Sequence, residues 1–448
     1  MLFSWHHLSH AASSFFCSPF EEAAILTADG VGEWATTTTG WGKNNKIYIN
    51  KEIFFPHSIG LLYSTFTSFC GFEINHGEYK FMGLASYGSP RYVDEVWKLV
   101  KVNRDGSFQL DMDYFSFQHS TTTMFSRKFT NLFGQPRNVM YQSNVDQVYA
   151  DLASSVQFVL EQILFGIATK LHEETGMTNL CLAGGVALNS VANGKMIRNT
   201  PFDEIYIQPA SGDGGGALGA ALTFMIDSKL TNRNFIMDHA FWGPEFTDEE
   251  IKKTLTKSDF EYTYYENKED IQNIIIKDIL ENKVIGLFQN KMEWGPRALG
   301  NRSIIANPTI EEMKDIVNSK IKFREPYRPF APSVMEDKIE DIFITKYEKN
   351  VSPNDFMLNV IKVKSEYINK IPAVSHMGTA RIQSVRKQNK DYYNLIKKFY
   401  DITGIPLLLN TSFNIKGEPI VCSPADALNT FSKSGLDKLA LGNYYLTK

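Results

Sequence analysis

The chain has four cysteines among its 448 residues, Cys17, Cys70, Cys181 and Cys422, and no two of them form a CxxC pair. That scarcity excludes a thiolate zinc knuckle and a disulfide-stapled scaffold, and it sets a reducing compartment as the expectation. There is no excess of basic residues either: the formal net charge is -4 and the pI is near 6.2. Such a chain has no field for gripping a phosphate backbone, so nucleic acid is not an expected partner. No run of about 18 apolar residues occurs, and no basic segment precedes an apolar one at the start. A cytoplasmic protein with no membrane partner is therefore expected. Internal repeats and low-complexity stretches are missing too. What is present is ordinary for a globular protein, with 43% hydrophobic and 21% charged residues, and the length suits two or three domains at roughly 100 to 200 residues each.

Local patterns divide the chain in two, residues 1–240 and 241–448. Early on, EEAAILTADGVGEWATTTTGWGKNNKIYI reads as a buried strand over Ala23–Thr27, a Gly-rich corner and two further β segments, with a turn at Gly40–Asn45. From Val148 to Leu171 apolar residues recur at helical spacing and Gly176 follows as a C-cap. Two strand, Gly-loop, helix units come next, NLCLAGGVALNSVANGKMI and DEIYIQPASGDGGGALGAAL, the second with a strand over Glu204–Gln208. Their succession predicts an α/β layer with ligand at the carboxyl ends of the strands. A boundary is expected near FWGPEFTDEE, residues 241–250. Beyond it, strands are predicted at Val284–Gln289, Ile405–Asn410 and Leu439–Tyr445, making a second α/β or α+β domain.

Chemistry concentrates in three places. His6 and His10 stand four apart, which on a helix brings both imidazoles to one face. The zinc-protease pattern needs Glu directly after the first His, and His7 is there instead. Capping or surface histidines give the same spacing, so partners decide the matter. Asp29 at a strand end and Asp213 in SGDGGG are candidate carboxylate partners, a mixed N/O set suited to Fe(II), Mn(II) or Zn(II). The second place is the pair of Gly-rich loops. Around Gly212 and Gly214 a helix opens, so backbone N–H groups can face a phosphate, though no GKS or GKT makes this a Walker A loop. Gly184 and Gly185 let a flat ligand approach the backbone, with Asn189 as a hydrogen-bonding partner; a plain strand-to-helix turn is the alternative for each loop. Third, Arg297, Arg302, Lys320, Lys322, Arg324 and Arg328 cluster among prolines, as a preorganised anion site would. Arg381 and Asn410 are candidates to join them.

Taken in order, HHLSHAASSFF, TADGVGEWATT, EYKFMGLASYG, LAGGVALNS, SGDGGGALGAA, WGPRALGNRSI, REPYRPFAPS and LNTSFNIKGEPIV resemble the NodU/CmcH-type O-carbamoyltransferases. The resemblance runs from about residue 5 to the C-terminus. It implies an actin-like ATPase domain of the ASKHA type, similar to the threonylcarbamoyl-transferase enzymes, followed by a YrdC-like α/β domain. It further implies carbamoyl phosphate and ATP as substrates, carbamoyl-adenylate as intermediate, and a hydroxyl of a sugar or natural product as acceptor. On this resemblance His6, His10, Asp29 and Asp213 are the metal ligands, and Gly184, Gly185 and Asn189 hold the nucleoside. Arg297, Lys322, Arg324, Arg328, Arg381 and Asn410 hold carbamoyl phosphate and the ATP phosphates, with Arg297, Lys322 and Arg328 catalytic. The family's opening segment, with the first strands of the actin-like lobe and a His-Asp motif, has no counterpart here. The expectation is thus an N-terminally incomplete domain, its missing lobe supplied by a separate polypeptide or lost altogether. The competing readings are a non-catalytic remnant that serves as a binding partner and a threonylcarbamoyl-transfer or kinase-like ATPase.

Overall fold

The computed structural model describes residues 3–138, 146–323, 327–345 and 350–448. It divides into two compact units. Unit 1 comprises Met1–Met237 with Val351–Pro353, and unit 2 comprises Asp238–Asn350 with Asn354–Lys448.

Unit 1 is built on a five-stranded sheet. Its labelled elements in chain order are α1 (His6–Phe15), β1 (Glu22–Gly32), β2 (Ala35–Lys43), β3 (Lys46–Phe54), α2 (Ile59–Phe69), α3 (Gln147–Thr175), β4 (Asn179–Ala183), α4 (Ser190–Asn199), β5 (Glu204–Ile207) and α5 (Asp213–Asp227), with shorter helices and a two-stranded sheet between α2 and α3. The strand order is β3-β2-β1-β4-β5. The first three strands form an antiparallel meander, and β4 and β5 run parallel to β1. Residues Ala23–Ala28 of β1 are all buried, which is why this stretch reads as a continuous apolar run rather than an alternating one. The expected turn at Gly40–Asn45 is shorter than predicted, because β2 continues through Gly40 and Gly42 to Lys43. These glycines are there for closeness: a Cβ on Gly40 would lie 2.0 Å from the Tyr48 carbonyl oxygen, and one on Gly42 2.4 Å from the Phe15 ring. The long α3 ends at Gly176 in the left-handed region (φ 66°), as its sequence predicts. It is long and apolar enough to cross a bilayer, but 72% of that apolar window is buried inside the fold. It is the core helix of unit 1.

Unit 2 holds a mixed eight-stranded sheet. Its labelled elements are β6 (Glu261–Tyr264), α6 (Lys268–Leu280), β7 (Ile285–Phe288), β8 (Arg302–Ala306), β9 (Ala331–Met335), β10 (Gln383–Val385), α7 (Lys390–Thr403), β11 (Leu407–Ser412), β12 (Lys438–Leu441) and β13 (Tyr444–Thr447). The order is β10-β9-β11-β8-β7-β12-β13-β6. The single strand predicted over Leu439–Tyr445 is a hairpin instead. Gly442 turns it with φ 60°, and Gly442-Asn443 is the two-residue loop between the two apolar runs. The core gathers Ile275, Ile279, Ile304, Ile305, Leu407, Leu408 and Leu439, each at most 2% exposed. Each such side chain contributes about 1.5–3 kcal/mol over its exposed state, which makes the central strands a rigid base for the loops at their ends.

Candidate metal centre and the arginine-bearing segments

In unit 1 the helix α1 starts at His6, whose backbone N–H donates to the Glu33 carboxylate at 3.2 and 3.3 Å. Glu33 thereby places a negative charge at the positive end of the helix. The i, i+4 spacing then does what geometry requires: the Nε2 atoms of His6 and His10 lie 2.9 Å apart. Gly32 makes room for this, since a Cβ there would sit 2.1 Å from the His6 ring. Asp29 stands where the β1–β2 pairing is interrupted between Ala28 and Gly32. Its Oδ2 is 3.0 Å from His10 Nε2 and 3.8 Å from His6 Nε2, and it accepts the Gly185 N–H at 2.9 Å. Asp213, the first residue of α5, brings Oδ1 to 3.6 Å from both imidazoles. One ligand atom from each of the four residues lies within 4.8 Å of every other.

The electrostatics follow from the crowding. Burial by itself raises the pKa of Asp29, but hydrogen bonds from His10 and His6 outweigh it and hold the carboxyl well below the usual carboxylate range. His6 is raised, chiefly by its hydrogen bond to Asp29. Two imidazole nitrogens and two carboxylates facing one point form a donor set that suits a divalent cation of the Fe(II), Mn(II) or Zn(II) type. Ligands at about 2.0–2.1 Å in a tetrahedral site stand about 3.3 Å from one another; the His–His and His–carboxylate separations here, 2.9 to 3.8 Å, bracket that figure, and all four donors lie within 4.8 Å of one another. His10 Nδ1 is a buried polar atom with no hydrogen-bond partner among the described residues. The residues fit a cation.

Three contacts hold this set in place, two of them at residues, His7 and Gly219, to which the sequence reading gave no role. His7 is buried, its Nε2 3.0 Å from the Ala35 carbonyl and its Nδ1 2.6 Å from Thr27 Oγ1. A carbonyl only accepts, so Nε2 carries the proton and Nδ1 takes the Thr27 hydroxyl. Burial pushes this ring down to about 4, and it pins α1 to β1 and β2. Second, Gly219 of α5 lies so close to α1 that a Cβ would come within 1.8 Å of the Ser9 carbonyl oxygen. Third, Gly184 (φ 90°) passes under the Ala28 carbonyl, where a Cβ would lie 2.1 Å away, and its N–H donates to the Ser211 carbonyl at 2.8 Å. The two glycine loops are thereby tied together beside Asp29, with Gly212 as the N-cap residue of α5 and Gly214 in its first turn.

Asn189 corrects an expectation. It is 8% exposed, and its Oδ1 caps α4 by accepting the Ala192 N–H at 3.0 Å. Its amide also makes a reciprocal pair with Gln157, two hydrogen bonds of 3.0 Å each. Gln157 donates in turn to Glu161 at 3.0 Å, and Glu161 accepts Lys195 at 2.7 Å. The amide is spent on the fold rather than offered to a nucleoside.

In unit 2 the predicted cationic cluster separates into buried and partly exposed charges. Arg302 is 0% exposed. Its guanidinium donates to the carbonyls of Gln289, Asn290, Asn301 and Pro244 at 2.7–3.2 Å and lies 3.6 Å over the Phe288 ring. It is a structural clamp, which corrects its reading as part of an anion site. Lys322 is 4% exposed, and its Nζ meets the carbonyl and hydroxyl of Ser412 and the carbonyl and amide oxygen of Asn414 at 2.5–3.2 Å. Asn410, on β11, donates to the Ala298 carbonyl, Ser333 Oγ and Gln383 Oε1 at 2.9–3.1 Å. Each acceptor lies within five residues of a predicted arginine: Ala298 follows Arg297, Ser333 follows Arg328, and Gln383 follows Arg381. Asn410 is therefore the joint at which three arginine-bearing segments meet. Arg297, Arg328 and Arg381 are partly exposed. Arg324 lies outside the described residues. Sequence reasoning also missed Glu293, 5% exposed, whose Oε1 accepts the backbone N–H groups of Leu299, Asn301 and Arg302 at 2.7–3.2 Å and so shapes the loop after Arg297.

The chain is thus a two-unit mixed α/β protein with four candidate metal-binding donors in one unit and arginine-bearing segments that meet at Asn410 in the other. The description "Carbamoyltransferase N-terminus" matches residues 1–222 and "Carbamoyltransferase C-terminus" matches residues 276–448; the chain belongs to the carbamoyltransferase family. It is 44% identical to the uncharacterized protein sll1178 of Synechocystis over 100% of this chain and 76% of that one. Identity to nodulation protein NolNO of Sinorhizobium fredii is 37% over 99% of this chain and 63% of the relative. For nodulation protein NolO of Bradyrhizobium diazoefficiens it is 36%, over 99% and 78%. Among solved structures, HypF of T. kodakarensis aligns over 50% of this chain and 36% of that one at 15% identity with a TM-score of 0.28, too loose a superposition to bear on the fold.

Proposed function

We propose that the chain is an O-carbamoyltransferase that forms carbamoyl-adenylate from carbamoyl phosphate and ATP and passes the carbamoyl group to a hydroxyl of a sugar or natural product. Unit 1 is then an actin-like ATPase domain similar to the threonylcarbamoyl-transferase enzymes, and unit 2 is YrdC-like. The observation that carries this reading is the placement of four donor atoms within 4.8 Å at the head of α5, whose first turn is Asp213-Gly214-Gly215-Gly216. Helix N–H groups without side chains around them, beside a cation-competent set, suit the phosphate of an adenylate.

A divalent cation held by His6, His10, Asp29 and Asp213 would supply neutralisation of phosphate charge when bound. The chain's own groups do the rest. Gly212 and Gly214 present backbone N–H groups to the phosphate, and Gly184 and Gly185 let the nucleotide approach closely. In unit 2, Arg297, Arg328 and Arg381, with Arg324 beside them in sequence, bind the carbamoyl and ATP phosphates as guanidinium forks. Lys322 and Asn410 act by positioning: one holds the 412–414 turn, the other joins the arginine-bearing segments. Water first cleaves carbamoyl phosphate to carbamate and inorganic phosphate; a carbamate oxygen then attacks the α-phosphorus of ATP, and pyrophosphate leaves. In transfer the acceptor oxygen attacks the carbamoyl carbon, AMP leaves with the anhydride oxygen, and the hydroxyl proton is released. The arginines offset the negative charge that builds on the leaving group.

The test is pyrophosphate release by the purified chain with ATP, carbamoyl phosphate and added divalent metal, run beside Arg328→Ala. Release that requires carbamoyl phosphate and disappears in the variant supports adenylate formation. A folded chain that releases none overturns the proposal and favours a non-catalytic binding partner.

A further inference from the structure

The hairpin between β1 and β2 is closed by two residues, Glu33 and Trp34, since Gly32 pairs with Ala35. The first loop position of such a hairpin takes a positive φ and favours glycine or asparagine. Glu33 occupies it at φ 49°, where a residue with a Cβ is strained. Burial does not hold it there: Glu33 is exposed, and Trp34 beside it is 68% exposed. The turn alone gives no reason for a carboxylate at this position.

The helix α1 supplies one. The first N–H groups of a helix have no partner within it, and Trp5, the residue before His6, offers no side-chain cap. Both oxygens of Glu33 take up the His6 N–H instead, at 3.2 and 3.3 Å. The neighbouring Gly32 meets the same residue, since a Cβ there would lie 2.1 Å from the His6 ring. One hairpin turn therefore grips His6 twice, by its backbone and by its ring. The two histidines differ in their need for this. His10 is 0% exposed and is held by the core around α1, whereas His6 begins the helix, where ends fray, and its side chain is 27% exposed. Its Nε2 nevertheless stands 2.9 Å from that of His10.

We propose that Glu33 is a positioning residue for the cation site: it fixes the first turn of α1, and with it the imidazole of His6, against His10, Asp29 and Asp213, while its own backbone stays strained. Groups that orient a metal ligand without touching the metal change affinity by about 10–100-fold when lost. The inference rests on the reading of these four residues as cation ligands, and binding by the unaltered chain tests that reading separately.

Calorimetric titration of Mn(II) and of Zn(II) into the full metal-free chain, with denaturant midpoints of the same preparations, tests it. Glu33→Gly relieves the strain and removes the acceptor, so the metal-free midpoint should hold or rise while affinity falls about tenfold. Glu33→Gln keeps an oxygen that accepts the His6 N–H and should restore most of the lost affinity. Unchanged affinity in Glu33→Gly, a midpoint that falls together with the affinity, or a Glu33→Gln variant as weak as Glu33→Gly would each overturn the role of Glu33. An unaltered chain that binds neither ion overturns the four-ligand reading itself, and the inference with it.

Discussion

The His/Asp set of unit 1 and the cationic segments of unit 2 handle charge in opposite ways. In unit 1, side chains from α1, β1 and α5 bring their polar atoms to one point and leave them facing each other. In unit 2, two of the most buried cations turn inward: Arg302 serves four carbonyls, and Lys322 serves Ser412 and Asn414. Charge density along a sequence thus marks two different things. Where cations flank tight loops, some of them are the loop's own hydrogen-bond donors, and only those left at the surface are available to a ligand.

That contrast can be broken most forcefully at Arg302. Arg302→Met strips the donors from four backbone carbonyls and should cost about 3–5 kcal/mol, read as a fall in the denaturant midpoint. A neutral result would mean that Arg302 is free to bind substrate after all. On the other side, His10→Ala should lower divalent-metal affinity by about 100-fold, near 3 kcal/mol, measured by metal content after dialysis. The denaturant midpoint of the metal-free chain should move far less than in Arg302→Met. If metal content is unchanged, the cluster is a hydrogen-bond network and the comparison fails.

A subtler difference is set by protons. His376 in unit 2 is pushed down to about 4 by burial, with the Lys314 charge adding to it. Its folded pKa is below the ordinary 6.5, so the stabilisation from keeping it neutral is complete above pH 6.5 and is lost as pH falls from 6.5 toward 4. The expected loss is about 3 kcal/mol across that window, and His376→Gln should flatten it in pH-dependent unfolding curves. The smallest effect is expected at Asn189. Removing the cap in Asn189→Ala should cost about 1–2 kcal/mol by thermal melting while leaving metal affinity intact, because the Gly184 and Gly185 backbone, not this amide, adjoins Asp29.

Much of this was legible beforehand, and the reasons differ by residue. Helix spacing determines where His6 and His10 point, so their convergence could be read from four letters of separation. Asp29 and Asp213 were legible because each sits at a strand end or helix start beside glycine, where backbone geometry rather than packing sets position. The long α3 and its Gly176 terminus were clear from periodicity. Burial was not legible. Nothing in the letters of Lys322 or Arg302 tells whether a cation faces solvent or a ring of carbonyls, since both arrangements use the same residue. Asn189 was misread for a related reason: an amide after a glycine turn suits a ligand and a helix cap equally, and Gln157, the residue that decides between them, lies 32 positions away. The hairpin at Gly442 was legible in the Gly442-Asn443 pair between two apolar runs, and reading one continuous strand across it passed over that turn.

The near-contact of Gly219 with the Ser9 carbonyl bears on how such a site can change over time. Three of the four donors ride on α1 and α5, and at Gly219 those helices meet backbone to backbone, with no side chain there to be exchanged. The spacing of His6, His10 and Asp213 is accordingly insulated from ordinary core substitutions, whereas Asp29, on a separate strand, can move with its own loop. Any drift in metal preference among relatives of this chain should therefore trace to the residues around Asp29, and the helix pair should behave as a fixed jaw against which that one carboxylate is adjusted.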